Sequence, residues 1–336
     1  MNERRPAESE FGRFSGANVL ITGGLGFIGS NLARRLVDLG AHVTLVDSLV
    51  PQYGGHRFNI DGLEHRLQVN ISDVRDPYSL RTHVTGQDFL FNLAGQTSHL
   101  DSMEDPFTDL DINCRAQLSI LETCRQFNPT ARIVFASTRQ IYGRPDHLPV
   151  DERHPLRPVD VNGINKLAGE FYHRLYHDVY ELPACVLRLT NTYGPRMRIK
   201  DARQTFVGVW IRLLLEGQPF EVWGGGQLRD FTYVDDCVEA LLLAAVRPEA
   251  AGQVFNLGWG EVTSLVDLAR LLVEINGRGQ FVQREFPAER KRIDIGDYYA
   301  DDALIRRTLS WQPKVTLRDG LSRTLEFFRH NLDHYR

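Results

Sequence analysis

The sequence of 336 residues predicts an α/β protein, a doubly wound parallel sheet followed by a smaller C-terminal α+β unit. Three observations carry this. Short β-branched runs alternate with helical patterns through the first half, which implies right-handed crossovers and a parallel sheet covered on both faces. A glycine cluster follows the first strand directly. The second half then loses the alternation, and its connecting segments are rich in Gly, Pro and charge. Hydrophobic residues at 42% and charged residues at 24% suit a folded chain with a sizeable core, and they exclude disordered, collagenous and coiled-coil classes.

In chain order, residues 17–22 read as an apolar strand and 27–39 have helical spacing. Strands two to five are read at 43–46, 66–69, 89–93 and 132–136, with a helix over 107–127 between the last two. A helix over 161–180 precedes a sixth strand at 185–189. Beyond it, 206–216 is helical, 220–223 extended and 224–226 a flexible loop. Helical patterns return at 236–246, 264–275, 301–309 and 317–331. The boundary is placed near Asn191, dividing a first domain, 1–190, from a second, 191–336, with strands able to cross between them.

The net charge of −4 offers no overall basic field, which argues against nucleic acid as a partner. No apolar run approaches the ~20 residues that span a membrane; the best stretch, 238–246, contains Glu239. Residues 1–14 are polar and lack the apolar centre of a signal peptide. Cys114, Cys124, Cys185 and Cys237 are scattered without CxxC spacing, as expected of reduced thiols in a cytoplasmic protein. The 11 histidines show no metal-ligand spacing, so no metal is expected.

The strongest signal is Gly23-Gly24-Leu25-Gly26-Phe27-Ile28-Gly29, between the first strand and the first helix. Glycines at 23, 26 and 29 allow a tight turn and close backbone approach to a pyrophosphate, and the helix start offers free N–H groups and positive partial charge. Asp47 ends the second strand, 18 residues past Gly29, where an acid accepts bonds from adenine-ribose hydroxyls. These features predict a Rossmann-type dinucleotide site. An acid there repels a 2′-phosphate, and Ser48 follows rather than an arginine, so NAD is expected over NADP. Asp73-Val74 follows the third strand, and Asp73 reads either as a carboxylate for the adenine amino group or as a turn or cap residue. Leu93-Ala94-Gly95 ends the fourth strand with small residues that admit a cofactor.

With those residues, the chain resembles the extended short-chain dehydrogenase/reductases, specifically the nucleotide-sugar epimerase/dehydratase family, from about Asn18 to Phe328. Further matches are Ser137-Thr138-Arg139-Gln140-Ile141-Tyr142-Gly143, Asn191-Thr192-Tyr193-Gly194-Pro195-Arg196, Arg229-Asp230-Phe231-Thr232-Tyr233-Val234-Asp235-Asp236 and Leu309-Ser310-Trp311-Gln312-Pro313. The resemblance implies a catalytic trio of Ser or Thr, Tyr and Lys. Thr138 and Lys166 stand at two of these positions, and Lys166 is implied to bond the nicotinamide ribose. The tyrosine position holds Asn162, in Asn162-Gly163-Ile164-Asn165-Lys166. An amide cannot serve as the base that takes a sugar hydroxyl proton, and general base catalysis is worth ~10²–10⁴-fold. Tyr142, Tyr193, His99 and Asp160 are the candidate replacements; a slow or relayed reaction, and a protein that binds without turnover, are the other accounts. Asn113 reads as a brace near the active site or as an ordinary polar residue within its helix.

The resemblance also implies that Asn191 touches the sugar or diphosphate, and that Arg229 and Arg292 pair with the diphosphate, as guanidinium forks match phosphate oxygens. Around Arg292 the register leaves Arg290 and Lys291 as alternatives. Arg196, Arg198 and Lys200 are expected to add positive charge to the cleft. A 4,6-dehydratase would carry an Asp-Glu pair after Thr138, where this chain has Arg139 and Gln140. The implied function is therefore NAD-dependent C4 epimerisation of a nucleotide-diphosphate sugar. Decarboxylation or dehydration within the family, or binding without catalysis, are the alternatives. The same resemblance implies a homodimer paired through residues 107–127 and 161–180.

Overall fold

A computed structural model describes residues 10–287 and 293–336. Its main sheet holds β1 (Asn18–Thr22), β2 (His42–Asp47), β3 (Gln68–Ile71), β4 (Phe89–Asn92), β5 (Arg132–Thr138) and β6 (Ala184–Leu189), joined by β10 (Val254–Leu257) from the second half. The strands run in the order β10-β6-β5-β4-β1-β2-β3, and every neighbouring pair is parallel. This is the expected Rossmann-type doubly wound α/β architecture. β4 and β6 are buried along their whole length, as parallel strands covered on both faces must be. The order reverses between β1 and β4, so their carboxyl ends open a crevice where ligands bind in such sheets.

One face of the sheet is covered by the helices Phe27–Asp38 and Val234–Val246 with the short turn Phe11–Phe14. The other is covered by Pro77–Val84, Ala116–Phe127 and Val161–Tyr180. β10 and the helix Val234–Val246, both from beyond residue 191, are thus built into the sheet and its covering layer. Of the remaining strands, β7 (Asn191–Tyr193), β9 (Leu228–Tyr233) and β11 (Val262–Ser264) form a small sheet in the order β11-β9-β7, and β8 (Phe220–Trp223) pairs in parallel with β12 (Phe281–Arg284). They carry β9 residues towards the crevice from the side opposite the glycine turn.

Among the elements that differ from the sequence reading are the third strand and the helix expected over 107–127. The third strand starts at Gln68, not Arg66, because the Arg66 N–H is spent on a turn to the Leu63 carbonyl at 2.8 Å. The helix expected over 107–127 is broken into Pro106–Leu110, a wide π-helical turn Asp111–Arg115, and Ala116–Phe127. Such turns cluster at functional sites, and here the turn carries Asn113 inward. Its amide donates to the Gln96 carbonyl at 2.9 Å and to Asp109 Oδ2 at 3.0 Å.

A buried polar network fastens β10 to the older sheet. Arg188 in β6 pairs with Glu170 of the helix Val161–Tyr180, and its Nη1 donates to the Tyr142 hydroxyl at 2.6 Å. That hydroxyl in turn donates to Asn256 Oδ1 in β10 at 2.6 Å. A buried ion pair holds only if its remaining hydrogen bonds are met, and this one meets them through Ser137 and Tyr142.

Candidate active site

The crevice at the carboxyl ends of β1 and β4 widens into a cleft of about 1030 Å³ that reaches from the glycine turn to Arg229 and Asp294. At the turn, Gly23 has φ +68°, and a Cβ on Gly29 would collide with the Gly23 carbonyl. The first helix begins at Gly26, whose lack of a side chain leaves the first-turn N–H groups without a side-chain cap. A helix start so bared is a ready anion site. Asp47 takes the backbone N–H of Leu25 at 3.0 Å and of Leu49 at 2.9 Å, so its carboxylate is locked to the turn beside it. Burial pushes its carboxyl up from the ordinary value, against those two bonds. Val74, Leu93 and Ala94 line the same space, as do Phe27 and Ile28. The residues present fit a dinucleotide: an open backbone turn, a held acid one strand away, and small residues opposite.

Asp73 also lines the cleft, but its carboxylate is spent on Arg75, whose Nη2 and Nε donate at 2.6 and 3.0 Å. That guanidinium holds the Asp73 carboxyl below its usual range.

Further along the cleft lie Thr138, Asn162 and Lys166. Thr138 ends β5, and its hydroxyl accepts the Gln140 N–H at 3.2 Å, starting the turn Arg139–Tyr142. Lys166 is buried, with Nζ donating to the Ala136 carbonyl at 3.2 Å. Desolvation pushes its ammonium down to about 8, with the charge of Asp109 opposing. Asn162 is buried in a cluster of its own. Its amide donates to the Gln96 carbonyl at 2.8 Å and to Asp109 Oδ2 at 3.0 Å. Asp109, fully buried, thus takes the amides of Asn113, Asn162 and Asn165. Three neutral donors solvate one buried carboxylate, as the cost of burying charge demands. Sequence spacing could not show this, because the four residues sit on segments brought together by the π-helical turn.

Of the replacements for the missing phenol, Tyr142 and Tyr193 are buried away from the cleft. Tyr193 donates to the Leu317 carbonyl at 3.3 Å, and burial pushes Tyr142 up to about 12. His99 lines the cleft.

On the far side, Asn191 donates to the Asp230 carbonyl at 2.9 Å and accepts from Arg139 Nη2 at 2.9 Å. Arg229 is buried in β9, bonded to the Leu228 carbonyl at 2.8 Å and lying 3.6 Å from Asp294. Desolvation pushes its guanidinium down to about 10. Arg292, with its alternatives Arg290 and Lys291, lies outside the described residues. The expected basic contribution of Arg196, Arg198 and Lys200 is corrected: none of them lines the cleft. Arg196 is turned to Asn31 Oδ1 at 2.9 Å and Arg198 to Asp201 at 2.6 Å. Among the described residues the cleft draws its cations instead from Arg75, Arg139, Lys166, Arg203 and Arg229. Among the described residues there is no cluster of metal-ligating side chains and no helix long and apolar enough to cross a membrane.

A profile of the NAD dependent epimerase/dehydratase family matches residues 19–258. UDP-glucose 4-epimerase of Mycolicibacterium smegmatis is 31% identical over 320 residues, 93% of this chain and 98% of that protein. UDP-glucuronic acid decarboxylase 1 of Xenopus tropicalis is 30% identical over 329 residues, 94% of this chain and 73% of that one. Among solved structures, UDP-glucose 4-epimerase of Thermotoga maritima with UDP-glucose superposes with a TM-score of 0.86 at 31% identity, over 94% of this chain and 99% of that chain.

Proposed function

The chain belongs to the NAD dependent epimerase/dehydratase family, and from that premise we propose that it inverts C4 of a nucleotide-diphosphate sugar. The observation that carries the proposal is one continuous cleft with the glycine turn and Asp47 at one end and Asn191 and Arg229 at the other. Bound NAD supplies the acceptor, and later the donor, of a hydride. In this reading the uncapped first-turn N–H groups that follow Gly26 hold the pyrophosphate, Asp47 orients the adenine ribose, and Lys166 bonds the nicotinamide ribose. Thr138 steadies the sugar hydroxyl, while Asn191 and Arg229 hold the diphosphate. Dehydration fits poorly, because Arg139 is spent on Asn191 and Gln140 on Asp160, and neither offers a carboxyl group. Arg139 is half-buried beside Thr138 and lines the cleft, which favours a sugar carrying an anionic group.

A second reading, binding of NAD and nucleotide sugar without turnover, is favoured by Asn162. Purified protein incubated with NAD and a panel of UDP-, dTDP-, GDP- and CDP-sugars, uronic acids included, and followed by proton NMR, separates the two. C4 inversion of one member supports the epimerase; binding without inversion supports the second reading. The exposed apolar side chains Phe107, Ile164, Phe171, Leu175 and Val179 support a homodimer, and light scattering of a mass near one chain would overturn it.

A further inference from the structure

We propose that His99, held by Asp160, is the group that takes and returns the sugar hydroxyl proton in place of the missing tyrosine. The inference rests on the epimerase reading and names the acid/base that reading lacks. His99 opens the short helix His99–Glu104, whose N-cap Ser98 accepts the Asp101 N–H at 3.1 Å. Its ring lines the cleft, with the side chain 37% exposed, and Nδ1 lies 3.0 Å from Asp160 Oδ2.

Asp160 is itself fixed at several points. It is buried, and Oδ1 accepts the Gly163 N–H at 2.7 Å as N-cap of the helix Val161–Tyr180. Oδ2 accepts from Gln140 Nε2 at 2.8 Å. Burial works against its charge, yet the His99 ring, the Gly163 N–H and the Gln140 amide together hold its carboxyl below the ordinary value. The imidazole is therefore tied at once to the turn that Thr138 starts and to the helix that bears Asn162 and Lys166. In this proposal the nearby carboxylate favours a proton on Nδ1 and leaves Nε2 as the acceptor, the base-and-orienter arrangement used wherever a histidine moves protons.

The other candidates are eliminated by placement. Tyr142 and Tyr193 do not line the cleft, and Asp160 is consumed by its three partners. The Asn162 amide does not titrate and is spent on Gln96 and Asp109. The charged group against the ring is Asp160; Asp101, on the same short helix as His99, is paired with Arg203 at 2.7 Å. In the forward step the hydroxyl O–H bond would break and an Nε2–H bond would form, with bound NAD supplying the hydride acceptor; in the return step the Nε2–H bond would break and the proton would go back to the sugar oxygen, so the ring would end as it began.

The test uses the full-length protein with NAD, as wild type, His99→Gln and Asp160→Asn. Histidine-labelled ¹⁵N NMR of the wild type should contain one resonance absent from His99→Gln. That resonance should report a proton on Nδ1, and in Asp160→Asn that proton should no longer be fixed on Nδ1. On the sugar that the panel identifies, His99→Gln should lower kcat by ~10²–10⁴-fold with KM and NAD affinity little changed. Asp160→Asn should lower kcat less and shift its pH profile. His99→Gln within about threefold of wild type, or a ring protonated on Nε2, overturns the proposal. A wild type that binds NAD and UDP yet turns over no sugar overturns it too, while leaving the binding reading intact. Failure to bind NAD instead removes the function on which the inference rests.

Discussion

The two ends of the cleft are built from different materials. The glycine turn is made of backbone: bare N–H groups, a positive φ at Gly23, and a contact at Gly29 that no side chain could share. The corner proposed as catalytic is made of side chains from separate segments, in which Asp109 gathers three asparagine amides and Asp160 gathers His99, Gln140 and a helix N–H. A backbone site depends on one residue type at fixed spacing, so a short motif specifies it. A side-chain site depends on mutual satisfaction, so one altered partner is answered elsewhere. Asn162 is better understood as a member of such a cluster than as a tyrosine lost.

The strongest way to break this contrast is Asn162→Tyr. If the position were merely vacated, the phenol should restore activity without harm. Because the buried Asp109 would lose a donor and a larger ring must be fitted in its place, we expect a loss of about 3–5 kcal/mol, read by urea denaturation, and no gain in turnover.

A second probe lies just beneath the same corner. His173 is buried against Phe135, with ring centroids 4.2 Å apart. Burial pushes its ring down to about 4, with the Gly169 carbonyl opposing and the charge of Lys166 adding. Between about pH 6.5 and 4 the unfolded chain binds a proton that the folded chain refuses, so stability falls as pH drops through that window, by at most roughly 3 kcal/mol. Asp230, whose carboxyl burial pushes up to about 6, acts in the opposite direction there. The difference between wild type and His173→Phe therefore carries the test: the variant's denaturation midpoint should decline less on acidification. An equal decline would show that the corner tolerates a charge beneath it.

The smallest expected effect sharpens the other end. Gly29→Ala sets a Cβ against the Gly23 carbonyl, an overpacking cost of about 1–3 kcal/mol. Calorimetry should show NAD affinity falling by roughly one to two decades, with UDP binding unchanged. Unchanged NAD affinity would mean that the turn does not seat the pyrophosphate.

Much of this was legible in the residues themselves. The helix Val161–Tyr180 and the strand Phe220–Trp223 have the bounds that their spacing implies, since a side chain's periodicity is set by local geometry. Charge placement was less legible. Arg196 and Arg198 are as basic in the sequence as Arg139 and Arg229, yet the first pair is spent on Asn31 and Asp201 and does not line the cleft, whereas the second pair does. A flexible cation goes to whichever acceptor the fold brings within reach.

The sequence alone therefore determined the parallel sheet, its glycine turn and the acid at Asp47, because these follow from conformational freedom and period along a few neighbouring residues. Tertiary structure alone decided that Asn162 solvates Asp109, that His99 meets Asp160, and that β10 returns to close the sheet. Those outcomes depend on distances between residues 53 to 68 positions apart, with His99 and Asp160 falling in that range. Only burial, by penalising every unpaired charge and amide, selects among such distant pairings.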